Sequence, residues 1–181
     1  MKRMDMLVGA AFGLALAGCA TNEPNPIEPM DPVQTVATAD IRDAAGRTRA
    51  RATATESGDS IRVRVEAVDM TAGAYGTHVH TTGRCDAPSF ESAGGHWNPT
   101  GRQHGRDNPQ GEHKGDLPNL LVGTDGRGSF EFTIPGASIS QGPNRLLDAD
   151  GAAIVVHSGA DDYRTDPSGN SGSRVACGVL G

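Results

Sequence analysis

Residues 49–66 read RARATATESGDSIRVRVE, and their pattern predicts the fold class. Alanines at even positions from 50 to 54 alternate with arginine or threonine. After the SGDS turn at 57–60, apolar side chains at odd positions from 61 to 65 alternate with charged ones. An apolar period of two is typical of half-buried antiparallel strands. The stretch therefore predicts two strands joined as a β-hairpin.

The rest of the chain shows strand patterns but no amphipathic helical period longer than one turn. Predicted strands lie at residues 76–81, 117–122, 129–134, 152–157 and 174–180, and 117–122 and 129–134 are predicted to form a second hairpin. Two long segments, 82–116 and 158–173, resist strand assignment. Loops of this length are usually functional or disordered. We expect an all-β domain, either a sandwich or a flattened barrel.

Length, composition and charge exclude several functional classes. The 181 residues suffice for one domain with accessories. Four Phe, two Tyr and one Trp cannot build a core, so Val, Ile, Leu and Ala must, with a metal or disulfide adding stability. A formal charge of −6 argues against a nucleic acid partner, because phosphate binding needs a basic stripe. The chain also lacks a polybasic face for anionic lipid.

The N-terminus has the features of an exported lipoprotein. A basic start precedes an apolar stretch at 7–16 that is too short to span a bilayer. The sequence LAGC at 16–19 matches a bacterial lipobox. We therefore predict a signal peptide at residues 1–18 and lipid attachment at Cys19. An ordinary signal peptide with an incidental cysteine is the alternative.

A tether is expected to follow the lipidated residue. Residues 19–32 hold four prolines among polar neighbours, which predicts an extended linker to a domain at 33–181. The lipid is then the only expected membrane contact, and the protein is expected in the bacterial cell envelope, facing the periplasm. Ala20 after Cys19 favours the outer membrane. Cleavage leaves 14 basic and 21 acidic residues, a formal charge of −7.

Two further cysteines, Cys85 and Cys177, remain once Cys19 is assigned to lipid. An exported chain meets an oxidising compartment, where such a pair normally forms a disulfide. We predict that bond, with two free thiols as the alternative. It would join the segment that carries three of the six histidines to the last predicted strand.

All six histidines of the chain lie between residues 78 and 157. His78 and His80 are two apart on a predicted strand, so their side chains project from the same face. Taken alone, such a pair is weak evidence for a metal site, and a solvated strand face is the alternative. His157 ends another predicted strand, where it could be an ordinary strand-end imidazole.

The remaining candidates lie in the first long segment. They are His96, His104, His113 and Asp116. Together with the three strand histidines they supply seven ligands, one short of two four-coordinate metals. An imidazolate that binds through both nitrogens would supply the eighth bond. Copper and zinc are the metals that neutral imidazole favours.

Four motifs carry a resemblance to a known family. They are GTHVH at 76–80, GGHWNP at 94–99, HKGDL at 113–117 and GSRVACG at 172–178. On these motifs the chain, from about residue 33 to 181, resembles the bacterial copper/zinc superoxide dismutases. The resemblance implies an eight-stranded Greek-key barrel or sandwich with two long functional loops.

The resemblance also implies a role for each site residue. Copper ligands fall on His78, His80, His96 and His157, and zinc ligands fall on His96, His104, His113 and Asp116, with His96 as the bridge. Asp161 would join a copper ligand to a zinc ligand, Ser168 would line the access channel, and Cys85 and Cys177 would form the disulfide. Arg174 and His96 would take part in catalysis, Arg174 by guiding the anion.

The implied activity converts superoxide to oxygen and hydrogen peroxide by alternate reduction and oxidation of copper. A non-catalytic copper/zinc-binding envelope lipoprotein is the alternative, and a β-sandwich whose histidines only fasten its loops is a third. Retention of Arg174, Asp161 and Ser168 favours the enzyme, because neither alternative needs a positive channel residue. A monomer and a homodimer both fit, and Trp97 could serve an interface or pack the loop.

Overall fold

The computed structural model describes residues 34–181. The predicted lipidation site Cys19 and the boundaries at residues 18 and 32 lie outside the described residues and stay predictions. None of the described residues belongs to a helix with the length and apolarity of a membrane span.

The described residues form nine strands and one short 3₁₀ turn. The strands are β1 (Val36–Asp43), β2 (Thr48–Ser57), β3 (Ser60–Ala67), β4 (Gly73–Tyr75), β5 (Thr77–His80), β6 (Leu120–Val122), β7 (Gly128–Pro135), β8 (Ala153–His157) and β9 (Arg174–Val179). The turn is Glu91–Ala93. The all-β prediction is confirmed, with nine strands where eight were expected, and the two long segments contain none of them.

Seven strands form one sheet in the order β5-β8-β9-β1-β2-β3-β7, and β4 pairs with β6 in a second. β7 pairs with β3 and β9 pairs with β1, although long stretches of chain separate the two strands of each pair. Such long return connections between antiparallel strands are typical of Greek-key folds. The predicted second hairpin is wrong. β6 and β7 both form, but β6 pairs with β4 and β7 with β3. A period of two fixes which face of a strand is buried, not which strand it pairs with.

The first hairpin forms as predicted. In its antiparallel register Ala52 faces Val65 and Ala54 faces Val63 across β2 and β3. These four side chains are at most 3 % exposed, whereas Arg64, between the two valines, is exposed. Small side chains on β2 therefore pack beside branched ones on β3, and aliphatic residues make up most of the core. Trp97 belongs to this core at 6 % exposure, so it packs the loop.

The disulfide between Cys85 and Cys177 is confirmed, with 5.6 Å between the Cα atoms. It lies in a small buried cluster with Phe90, Ala153 and Val155. The two cysteines are 92 positions apart, and in the chain-entropy model a crosslink of this span lowers the entropy of the unfolded chain. The fold is thereby stabilised by about 4–5 kcal/mol. The disulfide therefore fastens the first long segment to β9, directly beside the functional site.

Candidate metal centre

Three short segments are tied together by a closed ring of backbone hydrogen bonds. The amide of Val79 donates to the Gly115 carbonyl (2.9 Å), Trp97 donates to Val79 (2.8 Å), and Gly115 donates to Trp97 (2.9 Å). Residue 115 must be glycine, because a Cβ there would lie 2.5 Å from the Val79 carbonyl oxygen. The ring holds β5 against two points of the first long segment.

Four predicted ligands are adjacent in sequence to the three residues that form this hydrogen-bonded ring. In chain order these neighbours are His78 and His80, His96, and Asp116. Strand β5 is buried along its whole length, and both of its histidines are at most 1 % exposed. A solvated strand face, the alternative for this histidine pair, is therefore excluded.

The seven predicted ligands converge into two clusters. Within each cluster, four candidate ligand atoms lie within 4.8 Å of one another. The first cluster comprises His78, His80, His96 and His157, and the second comprises His96, His104, His113 and Asp116. Only His96 belongs to both, which is the geometry that a bridging imidazole requires.

Each of the other three histidines in the first cluster uses one ring nitrogen to bond the protein. Nε2 of His78 lies 2.7 Å from Oδ2 of Asp161. Nδ1 of His80 donates to the Gly94 carbonyl (2.9 Å), and Nδ1 of His157 donates to the Gly172 carbonyl (3.2 Å). Such bonds fix the orientation and the tautomer of metal-binding imidazoles.

The opposite nitrogens of these rings are buried and have no hydrogen-bond partner in the described part of the chain. They are His78 Nδ1, His80 Nε2 and His157 Nε2, and His104 Nδ1 shares this property in the second cluster. A buried polar atom without a partner costs about 1–3 kcal/mol. All four atoms belong to the two clusters, where bound metal cations would satisfy them. Copper and zinc suit a donor set that consists mainly of imidazole nitrogens.

Burial keeps the histidines of the first cluster uncharged. It lowers the pKa of His78 to about 3, of His80 to about 2 and of His157 to about 4, and it also lowers the pKa of His96. Neutral imidazoles carry the lone pair that a metal needs. The first cluster is therefore ready to bind a metal cation at neutral pH.

Asp116 is the centre of the second cluster. Its Oδ1 lies 2.9 Å from Nδ1 of His96 and 3.1 Å from Nδ1 of His113. Its Oδ2 accepts the backbone amides of Gly105 and His113. Burial raises the pKa of this carboxyl, but the hydrogen bonds from its histidine neighbours hold it far below its ordinary value. Asp116 therefore stays a carboxylate at neutral pH.

Asp161 connects the two clusters by bonding one histidine of each. Its side chain is fully buried, with Oδ2 at His78 and Oδ1 3.0 Å from Nε2 of His104. Nδ1 of His104 also lies 3.0 Å from Oδ1 of Asp116, outside hydrogen-bond geometry. Burial lowers the pKa of His104, but the two carboxylates together raise it to about 9. Without metal, a His104 imidazolium therefore supplies the positive charge between them.

An open cleft of about 600 Å³ leads to the first cluster. Its lining includes His80, His96 and His157 together with Ser168 and Arg174, so both predicted channel residues are present. The guanidinium of Arg174 donates to the carbonyls of Phe90 and Gly94, each at 2.7 Å. The Gly94 carbonyl also accepts from His80, so the arginine and a metal-ligand candidate share one anchor.

Three contributors were missed by the sequence analysis. Glu91 lines the cleft near Arg174. Asn119 and Tyr163 hold the backbone and carboxylate of Asp161. Nothing in the sequence marks these residues, because their roles depend on contacts between segments that are far apart in the chain.

Comparisons with known proteins agree with this geometry. A family profile described as copper/zinc superoxide dismutase matches residues 45–180. Superoxide dismutase-like protein YojM from Bacillus subtilis (strain 168) is 45 % identical over 124 residues, which cover 67 % of this chain and 63 % of that protein. The chain thus spans less than two thirds of that relative's length.

Other relatives match over more of their length. Superoxide dismutase (Cu-Zn) 1 from Aquifex aeolicus (strain VF5) is 38 % identical over 144 residues, which cover 78 % of this chain and 85 % of that protein. The crystal structure of a SOD-like protein from Bacillus subtilis superposes with a TM-score of 0.74 at 39 % identity, covering 79 % of this chain and 97 % of that one. The profile match, these identities and the paired histidine clusters together show that the chain belongs to the copper/zinc superoxide dismutase family, with copper and zinc as its cofactors.

Proposed function

We propose that this protein is a superoxide dismutase whose substrate enters the cleft lined by Arg174 and three histidines of the first cluster. The main supporting observation is that a fixed guanidinium lies in a cleft lined by His96, the residue that both clusters share. A protein that only buffers metal, or uses it only to fasten loops, has no need of a cation held beside an accessible metal site. The family membership and the names of the relatives support the same activity.

The overall reaction consumes two superoxide anions and two protons and yields one oxygen and one hydrogen peroxide. When bound, copper supplies the one-electron redox chemistry by which one superoxide is oxidised and the next is reduced, and zinc supplies a fixed positive charge beside it. In our assignment His78, His80, His96 and His157 hold copper, and His96, His104, His113 and Asp116 hold zinc.

Arg174 contributes the positive field of the cleft. Two carbonyls fix its guanidinium, so its charge stays at one place on the wall. Burial lowers its pKa, but from an ordinary value so high that the group stays charged at neutral pH. A local field of this kind concentrates a small anion where the protein as a whole, with its net negative charge, repels it. Ser168 adds a small hydroxyl side chain to the cleft wall.

His96 is placed both to bridge the two clusters and to hold or release a proton. Its Nδ1 faces Asp116 and His113, which leaves Nε2 for the first cluster. Because burial lowers its pKa, this imidazole gives up a proton readily at neutral pH. It also lines the cleft, so a proton held there is within reach of a bound substrate.

We propose in addition that the domain is displayed in the cell envelope as a lipoprotein, as monomer or homodimer, with the lipid on Cys19 as its membrane contact. The LAGC sequence at 16–19 and the proline-rich tether support this location.

Replacing Cys19 by Ala tests the anchor. The variant should appear in the soluble periplasmic fraction, whereas the wild type should sediment with membranes and carry a lipid-sized mass increase. Equal fractionation of the two proteins would contradict the lipid assignment.

The metal-free protein should be most stable near pH 6.5. Below that pH the unfolded chain protonates all four histidines of the first cluster while the fold keeps them neutral, so stability falls by up to about 5 kcal/mol per pH unit. Above it, stability falls more gently toward pH 9 because the favourable charge on His104 is lost. Urea unfolding with chelator at pH 5, 6.5 and 8 measures both slopes.

A His157→Gln variant is the matched control for this profile. It removes one of the four imidazoles of the first cluster, so its acid slope should be shallower by about 1.4 kcal/mol per pH unit. Stability that is constant or rises from pH 6.5 to pH 5 in the wild type would contradict the neutral state of the first cluster.

Replacing Arg174 by Ile should lower kcat/KM for superoxide by roughly tenfold or more while leaving copper and zinc content unchanged, because focused fields raise association rates by about 10- to 1,000-fold. Added salt should slow the wild type more than the variant, since a Debye length of about 8 Å at physiological ionic strength screens the cleft. Pulse radiolysis at several salt concentrations measures both effects.

Arg127→Ile is the charge-matched control. Arg127 lies in the turn before β7 and does not line the cleft, so its loss changes net charge alone. Its rate should stay close to that of the wild type. If Arg174→Ile matches the wild type in rate and in salt dependence, the metal-buffer alternative is favoured over the enzyme.

A further inference from the structure

Tyr163 lies in the loop between β8 and β9 and contacts its own loop and two other segments of the chain. Its hydroxyl accepts a hydrogen bond from the amide of Asn119 (2.8 Å). Its own amide donates to Oδ1 of Asp161 (2.6 Å), and its carbonyl accepts from the amide of Asp107 (2.9 Å). The guanidinium of Arg106 lies over the ring, 3.8 Å from its centroid. One tyrosine thus links both long loops to the start of β6.

The backbone of Tyr163 is held in an unfavourable conformation. Its φ of 61° lies in the left-handed region, which side chains other than glycine, asparagine and aspartate rarely adopt. Such a residue persists only where its surroundings over-determine it, and these residues cluster at functional sites. Here the conformation is what directs the amide of Tyr163 at the carboxylate of Asp161 while its hydroxyl reaches Asn119.

Asn119 completes the arrangement by holding Asp161 at both backbone polar groups. Its Oδ1 accepts from the Asp161 amide (2.8 Å), and its Nδ2 donates to the Asp161 carbonyl (2.9 Å). Asn119 is only three residues beyond Asp116 in the chain. The contacts between Tyr163, Asn119 and Asp161 therefore form a closed clasp, and Asp161 cannot move without breaking one of its bonds.

The position of Asp161 matters because it orients two rings. Its carboxylate bonds Nε2 of His78 and Nε2 of His104, and the free Nδ1 of each ring belongs to one of the metal clusters. Gly169 packs directly against the same carboxylate, where a Cβ would collide with Oδ1. A small displacement of the carboxylate would therefore turn both imidazoles away from their metals.

We propose that Tyr163 is a positioning residue of the metal centre, which acts through Asn119 and Asp161 to fix the rings of His78 and His104 before metal binds. This inference rests on the metal assignments proposed above but not on turnover. Tyr163 touches no metal ligand of either cluster by side-chain hydrogen bond, so its contribution passes entirely through the clasp.

Tyr163→Phe tests this role, because it removes the hydroxyl that Asn119 bonds and keeps the ring under Arg106. Zinc affinity of the copper-free protein, measured by competition with a chromogenic chelator, should fall by about tenfold, the lower end of the loss typical for residues that orient metal ligands. The matched control is Tyr75→Phe, the other tyrosine, whose hydroxyl donates to the Thr71 carbonyl. That variant should bind zinc like the wild type.

An Asp161→Asn background separates positioning from general destabilisation. If Tyr163 acts through Asp161, adding Tyr163→Phe to Asp161→Asn should not weaken zinc binding further, since residues in one network are non-additive. Unchanged zinc affinity in Tyr163→Phe overturns the proposal. Equal losses in Tyr75→Phe, or a full additional loss in the Asp161→Asn background, also overturn it. Because no readout depends on superoxide, the outcome is independent of whether the protein is a dismutase.

Discussion

Four imidazole nitrogens buried without hydrogen-bond partners are the constraint on which the site depends. Each of the three in the first cluster, whose rings stay neutral, costs about 1–3 kcal/mol unless something accepts its lone pair, whereas the ring of His104 is protonated between Asp116 and Asp161 when no metal is bound. All four belong to the two clusters that share His96, so a cation in each cluster would remove the cost at once. Folding and metal binding are therefore coupled: the aliphatic core stabilises an arrangement that is unfavourable without metal, and bound metal repays that stability.

Rigidity of the surroundings gives this arrangement its geometry. The ring of hydrogen bonds among Val79, Trp97 and Gly115 fixes the backbone from which four ligand candidates project. The Gly94 carbonyl ties His80 and Arg174 to one point, and the disulfide fastens the segment that contains this carbonyl to β9. The guanidinium of Arg174 and the candidate metal ligands therefore keep a constant relative position. The Gly94 carbonyl contributes to this directly, because it bonds both Arg174 and His80.

Residue types and spacings made much of this predictable. The His-x-His pair on a period-two strand, the other histidines and Asp116 were found as seven candidate ligands, and the two cysteines remaining after Cys19 as a disulfide, because metal and disulfide chemistry accepts few residue types. The family resemblance then divided the seven ligands between two clusters that share His96. Strand pairing was less accessible, since the pattern of β6 and β7 fixes their buried face but not their partners. The clasp at Tyr163 was not predictable, because it depends on a left-handed backbone and on bonds to Asn119 and Asp107, which no local pattern encodes.

Stepwise metal addition tests the central claim that two adjacent sites share His96 and that the copper site is redox-active. Metal-free protein would be titrated first with zinc and then with copper, and superoxide removal would be measured after each addition. The account predicts no activity with zinc alone and an activity that rises with copper until one equivalent per chain is bound. Full activity with zinc alone, or none with both metals bound at one equivalent each, would contradict it.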